Sequence, residues 1–242
     1  MADPYAGLAP AFVLVHSPLV GPSTWHPVAR ELEREGRVVF VPSLVDVARA
    51  PAPQWQHVCR AITAGTEHIR GPVVLAGHSG AGLLLPTIAQ RLGSRIAAML
   101  FVDTFLPPPG GTVALAPPEF LDDLRARARG GVLPPWHRWF GEDALRGLVP
   151  DDATRARLEA EMPRLPMSYF EDRPPVPEGW DRRPCAYLLL SAEPYAASAA
   201  DARARGWPTA EVHGGKHLDL VRRPAAVARA LLDLERAMLA PA

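Results

Sequence analysis

One serine of this sequence stands between a buried strand and a helix, which is the setting of an activated nucleophile. The run Val73-Val-Leu-Ala-Gly-His-Ser-Gly-Ala-Gly82 starts as an unbroken apolar stretch and continues into an apolar helical segment. A strand that turns this sharply into a helix strains the backbone at the serine and exposes its hydroxyl. Because strand and helix approach closely, small neighbours such as Gly77 and Ala81 are needed. The pattern predicts that Ser79 is a nucleophile.

The helix that follows Ser79 directs its first amides, including that of Gly80, at any negative charge that develops there. A serine hydroxyl is a weak nucleophile and needs a base, which a third group orients. Among eight histidines, His217 is the best placed, because Gly214-Gly-Lys-His-Leu218 lies between the last predicted strand and the last predicted helix. His217 is therefore the predicted general base.

Two carboxylates are candidates for the group that orients the base. Asp103 closes the apolar run Ile96–Val102, at the sheet edge where the predicted parallel strands end. Glu193 lies in Ser191-Ala-Glu-Pro-Tyr195, just after another apolar run. Each also has a structural interpretation, because Asp103 could bind loop amides and Glu193 could charge a helix N-terminus. We prefer Asp103 and keep Glu193 as the alternative acid.

Apolar runs alternate with helix-like stretches along the chain. Such runs, without polar alternation, are typical of strands buried on both faces of a parallel sheet. The six predicted strands cover 11–16, 37–41, 72–77, 96–102, 185–190 and 209–213. The pattern predicts an α/β fold with a mostly parallel six-stranded sheet flanked by helices.

The segment 107–184 breaks this alternation, because it is rich in proline and charged helical pieces and has no buried apolar run. It is too long for a plain connection between two strands. We therefore predict a helical cap inserted between two parts of one core, 1–106 and 185–242. Its aromatic residues either hold the cap on the sheet or line a substrate pocket. We predict substrate contacts for Trp136, Trp139 and Tyr169.

Composition excludes several classes of function. The 242 residues carry a formal net charge of zero, with 26 basic and 26 acidic side chains, so no nucleic-acid partner is expected. No apolar run approaches the roughly 20 residues of a membrane span, and no signal peptide is expected, so the prediction is a cytoplasmic protein. Cys59 and Cys185 are expected to be buried apolar residues. No metal-ligand spacing is present, and no cofactor is expected.

Over nearly its whole length the chain resembles the α/β-hydrolase superfamily, and in particular its serine esterases and thioesterases. The loop from His16 to Trp25 resembles the family's oxyanion loop, and the segment around Ser79 its nucleophile elbow, with Ala81 where glycine is usual. The resemblance implies that the family's first two antiparallel strands are missing. It also implies that the second residue after His16 donates its N–H to the oxyanion. That residue is Pro18, which has no N–H, so Leu19 is the expected replacement donor.

The expected activity is cofactor-free hydrolysis of an ester, thioester or lactone of a small, largely apolar molecule. Ser79 would attack, His217 would transfer the proton, and Gly80 and Leu19 would bind the oxyanion. Two alternatives stay open. One is a cofactor-free lyase, cyclase or C–C bond-cleaving enzyme of natural-product biosynthesis on the same fold. The other is a non-catalytic binder of small molecules. The sequence does not indicate an oligomeric state.

Overall fold

The computed structural model describes residues 8–139, 145–149 and 151–240. The eight strands are β1 (Ala11–Val15), β2 (Val39–Phe40), β3 (Val73–His78), β4 (Ile96–Val102), β5 (Gly111–Thr112), β6 (Pro175–Val176), β7 (Cys185–Leu189) and β8 (Thr209–Glu211), among the described residues. The centre of the fold is a six-stranded sheet with the strand order β2-β1-β3-β4-β7-β8, in which every pair is parallel. The predicted α/β fold is therefore confirmed.

Helices cover both faces of the sheet. The α-helices in the described ranges are α1 (His26–Arg34), α2 (Gln54–Gly65), α3 (Leu85–Leu92), α4 (Pro118–Arg127), α5 (Asp152–Glu161), α6 (Met167–Glu171), α7 (Ala192–Ala204), α8 (Asp219–Arg222) and α9 (Pro224–Leu239). Short 3₁₀ segments lie at Pro22–Thr24, Val45–Arg49, Ser79–Leu84, Gly93–Arg95, Trp136–Arg138 and Trp180–Arg182.

The unbroken apolar runs are explained by burial on two sides. Successive side chains of a strand point to opposite faces. In β1, Phe12 and Leu14 pack in one core with α1 and α9, whereas Val13 and Val15 pack in another with α2 and α3. All five residues of β1 are buried. Cys59 and Cys185 are also buried and unpaired, as predicted, and burial raises the pKa of the Cys59 thiol to about 11.

The segment between β4 and β7 holds α4, α5, α6 and a small antiparallel pair, β5 with β6, which the sequence did not predict. Its apolar residues join two clusters. Val113, Leu124 and Phe170 extend the core on the α2–α3 face of the sheet. Leu158 of α5 belongs to a separate cluster with Val20 and with other residues near the carboxyl edge of the sheet. The segment therefore packs over the edge at which the parallel strands end.

Among the described residues, no helix has both the length and the apolar character to cross a membrane.

The junction between β3 and the following helix is tightly packed. A Cβ on Gly77 would lie 2.8 Å from Leu85 Cδ2, and a Cβ on Gly82 would lie 2.4 Å from Thr104 Cγ2 and Oγ1. Such distances require a neighbour to move. Small residues are needed here because the strand, the helix and the loop after β4 meet, as the sequence pattern predicted.

We expect Gly82→Ala to lower the free energy of unfolding by about 1–3 kcal/mol, because the added methyl overpacks against Thr104. Urea unfolding followed by circular dichroism measures the change. Gly147→Ala is the matched control, because a Cβ at Gly147 meets no atom within 4 Å. Equal unfolding free energies for the two variants would contradict the packing argument.

Candidate active site

Ser79 lies at the turn between β3 and the 3₁₀ segment Ser79–Leu84, with a φ of 55°. This left-handed conformation is unfavourable for a residue with a side chain and persists only where the surroundings hold it. Part of that support is Thr104, whose hydroxyl donates to the Ser79 carbonyl oxygen at 2.6 Å. Ser79 borders two cavities.

Asp103 follows β4 and is the second residue with a side chain in the left-handed region, at a φ of 46°. Its fully buried carboxylate accepts four hydrogen bonds. Oδ1 accepts the amides of Leu190 (2.8 Å) and Ser191 (2.9 Å), and Oδ2 accepts the Ser191 hydroxyl (2.5 Å) and His217 Nδ1 (2.7 Å). Burial alone would raise the pKa of Asp103, but the bonds from His217 and Ser191 outweigh it and hold this pKa below its usual value. The carboxylate is therefore charged at neutral pH.

Glu193, the alternative acid, lies near the start of α7, where its backbone is not helical. The residue is exposed at the rim of one cavity. In the described part of the chain, no hydrogen bond joins Glu193 to His217. The structure therefore brings Asp103, and not Glu193, to the imidazole.

His217 lies in the loop between β8 and α8. Its Nδ1–H donates to Asp103, so Nε2 carries a lone pair that can accept a proton. The ring is flanked by His78, at 4.5 Å between centroids, and by Tyr195, which stacks on it at 5.3 Å and 19°. Within the described residues, Ser79 Oγ and His217 Nε2 are not hydrogen bonded, although both side chains border the same cavity. Such bonds are often long in enzymes without substrate.

Tyr195 was not predicted as a site residue. Its ring stacks on that of His217, and the centroids of the Tyr195 and Phe105 rings are 5.2 Å apart. Burial raises the pKa of Tyr195 to about 12, and a hydrogen-bonding interaction with the Ser79 side chain offsets part of this rise. The phenol therefore stays protonated at neutral pH. The sequence signal was its position two residues after Glu193, in a stretch that follows a predicted strand.

The loop after β1 lies over the turn at Ser79. His16 shapes it, because His16 Nδ1 donates to the Ser17 carbonyl oxygen at 2.8 Å and Nε2 accepts the Leu44 amide at 2.9 Å. Leu19, the predicted oxyanion donor, gives its N–H to Ser17 Oγ at 3.3 Å. Gly80 is the second residue of its 3₁₀ segment, so its N–H belongs to the first-turn amides that have no partner within the helix.

The cavities that meet at Ser79 have volumes of about 350 and 420 Å³. Both are lined mainly by apolar and aromatic side chains. The smaller cavity contains Tyr169, and the larger contains Trp136, Trp139 and His217. All three aromatic residues predicted to contact a substrate thus border one of the two cavities. In the described ranges, no group of three or more His, Cys, Asp or Glu residues is placed to hold a metal ion.

Two buried histidines remain neutral. Burial lowers the pKa of His16 to about 4 and that of His78 to about 3, from 6.5 in an unperturbed histidine. His78 donates from Nε2 to the backbone oxygen of His217 at 3.0 Å. Both histidines therefore act as fixed, uncharged supports of the loops around Ser79.

We expect the free energy of unfolding to fall as the pH falls from 6.5 toward 4. Over this range His16 and His78 become protonated in the unfolded chain but stay neutral in the folded protein, so acid favours the unfolded chain. Each such histidine contributes up to about 1.4 kcal/mol per pH unit. Urea unfolding at pH 7.5, 6 and 5 measures the slope, which His78→Gln should reduce. His213→Gln is the control, because the His213 side chain is 91% exposed. Equal slopes in the two variants would contradict the assignment of His78.

The chain is similar to known proteins. A model of the alpha/beta hydrolase family matches residues 12–230. A carbendazim hydrolyzing esterase from Nocardioides sp. (strain SG-4G) is 27% identical over 132 residues, which are 50% of this chain and 52% of that protein. The match thus spans about half the length of this relative.

Solved structures share the fold. An extracellular alpha/beta-hydrolase from a Paenibacillus species superposes with a TM-score of 0.72 at 19% identity, over 93% of this chain and 99% of that one. A pyrethroid hydrolase superposes with a TM-score of 0.73 at 19% identity, over 94% and 98%. Since the family model covers most of the chain, the protein belongs to the alpha/beta hydrolase family.

Proposed function

We propose that the protein is a hydrolase that cleaves esters through Ser79 as nucleophile, His217 as general base and Asp103 as the orienting acid. The observation that carries the proposal is the 2.7 Å contact between His217 Nδ1 and the buried Asp103 Oδ2, beside a cavity that Ser79 borders. A carbendazim hydrolyzing esterase among the relatives supports ester cleavage.

In the first half of the reaction, Ser79 Oγ bonds to the carbonyl carbon of the substrate and its proton moves to His217 Nε2. The tetrahedral intermediate then collapses, the bond to the leaving oxygen breaks, and His217 returns the proton to that oxygen. In the second half, a water molecule gives its proton to His217 and attacks the acyl-enzyme. Collapse releases the acid and restores the Ser79 hydroxyl.

Asp103 and His78 face the imidazolium that forms when His217 takes the proton of Ser79. Charged Asp103 lies on one side of the imidazole and stabilises an imidazolium. His78 is the nearest ring to His217 among the described residues, and burial keeps its pKa at about 3, so it carries no charge when His217 is protonated. Two positive charges about 4 Å apart would repel by about 4 kcal/mol at an effective dielectric constant of 20. Neutral His78 avoids that penalty.

The proposed substrate is an ester, thioester or lactone of a small, largely apolar molecule. Ser79 borders both apolar cavities, and of the two His217 borders only the larger one. Because His217 protonates the leaving group, that group would occupy the larger cavity, beside Trp136 and Trp139. The acyl part would then occupy the smaller cavity, beside Tyr169.

We also propose that segment 107–184 acts as a cap on a core formed by 1–106 and 185–242. Side chains from this segment provide much of the lining of both cavities, including Phe120, which borders both. Cap residues would therefore determine which esters are accepted, while core residues carry out the reaction.

We expect Ser79 to react covalently with a fluorophosphonate probe and Ser79→Ala to lose the label, because the strained turn presents an activated hydroxyl. Intact-protein mass spectrometry measures the adduct. Ser94→Ala is the control, because Ser94 is an exposed serine just before β4, at the edge of the sheet opposite to Ser79, and this variant should label fully. Folded wild-type protein that never labels between pH 6 and 9 would overturn the proposed mechanism.

We expect Asp103→Asn to lower kcat by up to ~10⁴, because the imidazole loses the carboxylate that orients and stabilises it. Glu193→Gln should change kcat by no more than a few-fold, because Glu193 is exposed and makes no hydrogen bond to His217 in the described part of the chain. Steady-state rates of both variants on one aryl ester decide between the two acids. If Glu193→Gln lost its kcat while Asp103→Asn kept it, the orienting acid would be Glu193.

A further inference from the structure

The proposed acyl transfer needs donors for the oxyanion, and the backbone of the loop after β1 supplies fewer than expected. Pro18 has no N–H. The next amide, that of Leu19, already donates to Ser17 Oγ at 3.3 Å. The amide after that, of Val20, donates to the Ser17 carbonyl oxygen at 3.1 Å. The amides of 18–20 are therefore absent or engaged, which leaves Gly80 as the backbone donor of the proposed hole.

The Ser17 hydroxyl lies where the missing donor is needed. Its Oγ is 3.6 Å from the position that a Cβ on Gly80 would occupy, and that position is two bonds from the Gly80 amide nitrogen. The Ser17 hydroxyl and the Gly80 N–H therefore border the same small volume. Ser17 is 3% exposed, and it lines both cavities together with Ser79.

The hydroxyl proton of Ser17 is available. A serine hydroxyl has one proton to donate and two lone pairs. One lone pair accepts the Leu19 N–H, and among the described residues no group accepts the Ser17 proton. Accepting one hydrogen bond polarises a hydroxyl and strengthens the bond that it donates. Leu19 thus acts on the site through Ser17.

We propose that the Ser17 hydroxyl is a catalytic residue that, together with the Gly80 amide, binds the oxyanion of the tetrahedral intermediate. The proposal rests on the ester hydrolysis proposed above. It replaces the direct role expected for Leu19: the Leu19 N–H donates to Ser17 Oγ, and Ser17 Oγ–H donates to the oxyanion. A donor that binds the oxyanion more strongly than the neutral carbonyl raises kcat and leaves KM nearly unchanged.

The test compares Ser17→Ala and Ser17→Thr with wild-type enzyme on an aryl ester. Ser17→Ala should lower kcat by about 10²–10³ with KM unchanged, which is the usual loss for one oxyanion donor. Ser17→Thr keeps the hydroxyl and should recover most of kcat. Ser23→Ala is the matched control, because Ser23 lies in the same loop but donates its hydroxyl to Glu161 Oε1 at 2.6 Å. Circular dichroism confirms that each variant is folded.

The outcomes separate this inference from the function on which it rests. Wild-type turnover that disappears in Ser79→Ala, with Ser17→Ala as active as wild type, would overturn the role of Ser17 alone. A Ser17→Ala loss that appears in KM instead of kcat would also overturn it. Wild-type turnover no greater than that of Ser79→Ala would overturn both proposals.

Discussion

The buried carboxylate of Asp103 is the constraint on which the site depends. Moving a carboxylate out of water costs several kcal/mol, and this cost is offset only if its lone pairs are satisfied. Here the amides of Leu190 and Ser191, the Ser191 hydroxyl and His217 Nδ1 satisfy them. One anion therefore joins the end of β4, the end of β7 and the loop before α8. If the charge were removed, three chain segments would lose their common partner.

At this edge of the sheet, hydrogen bonds to polar groups also hold two residues in strained backbone conformations. Adjacent strands β3 and β4 each end close to a residue in the left-handed region, Ser79 and Asp103. Thr104 holds Ser79 in place by donating to its carbonyl oxygen. The amides and the hydroxyl at the end of β7 hold Asp103 by donating to its carboxylate. The cost of two unfavourable conformations is thus offset by bonds that also position the side chains. Gly82 is part of this arrangement, because only a residue without a Cβ leaves room for Thr104.

Burial patterns made most of the fold predictable, whereas the site depended on contacts that no local pattern encodes. The run at β4 was predicted with the bounds that the structure has, because it is long and strongly apolar. The helix predicted directly after Ser79 instead begins as 3₁₀. The choice between Asp103 and Glu193 required the folded chain, because both follow strands at the same edge. Tyr195 and the Leu19 bond to Ser17 depend on loop conformation, which propensities do not determine.

A side-chain donor differs from a backbone donor in how it is held. A backbone amide is fixed by the chain, whereas a hydroxyl rotates and must lose that freedom to bind an oxyanion. In this loop two features reduce the loss. Pro18 restricts the backbone next to Ser17, and the Leu19 N–H occupies one lone pair of Ser17 Oγ, which limits the directions left for its proton. The proline that removes one donor therefore also helps to orient its proposed replacement, and a loop that departs from the family pattern can still stabilise negative charge beside Ser79.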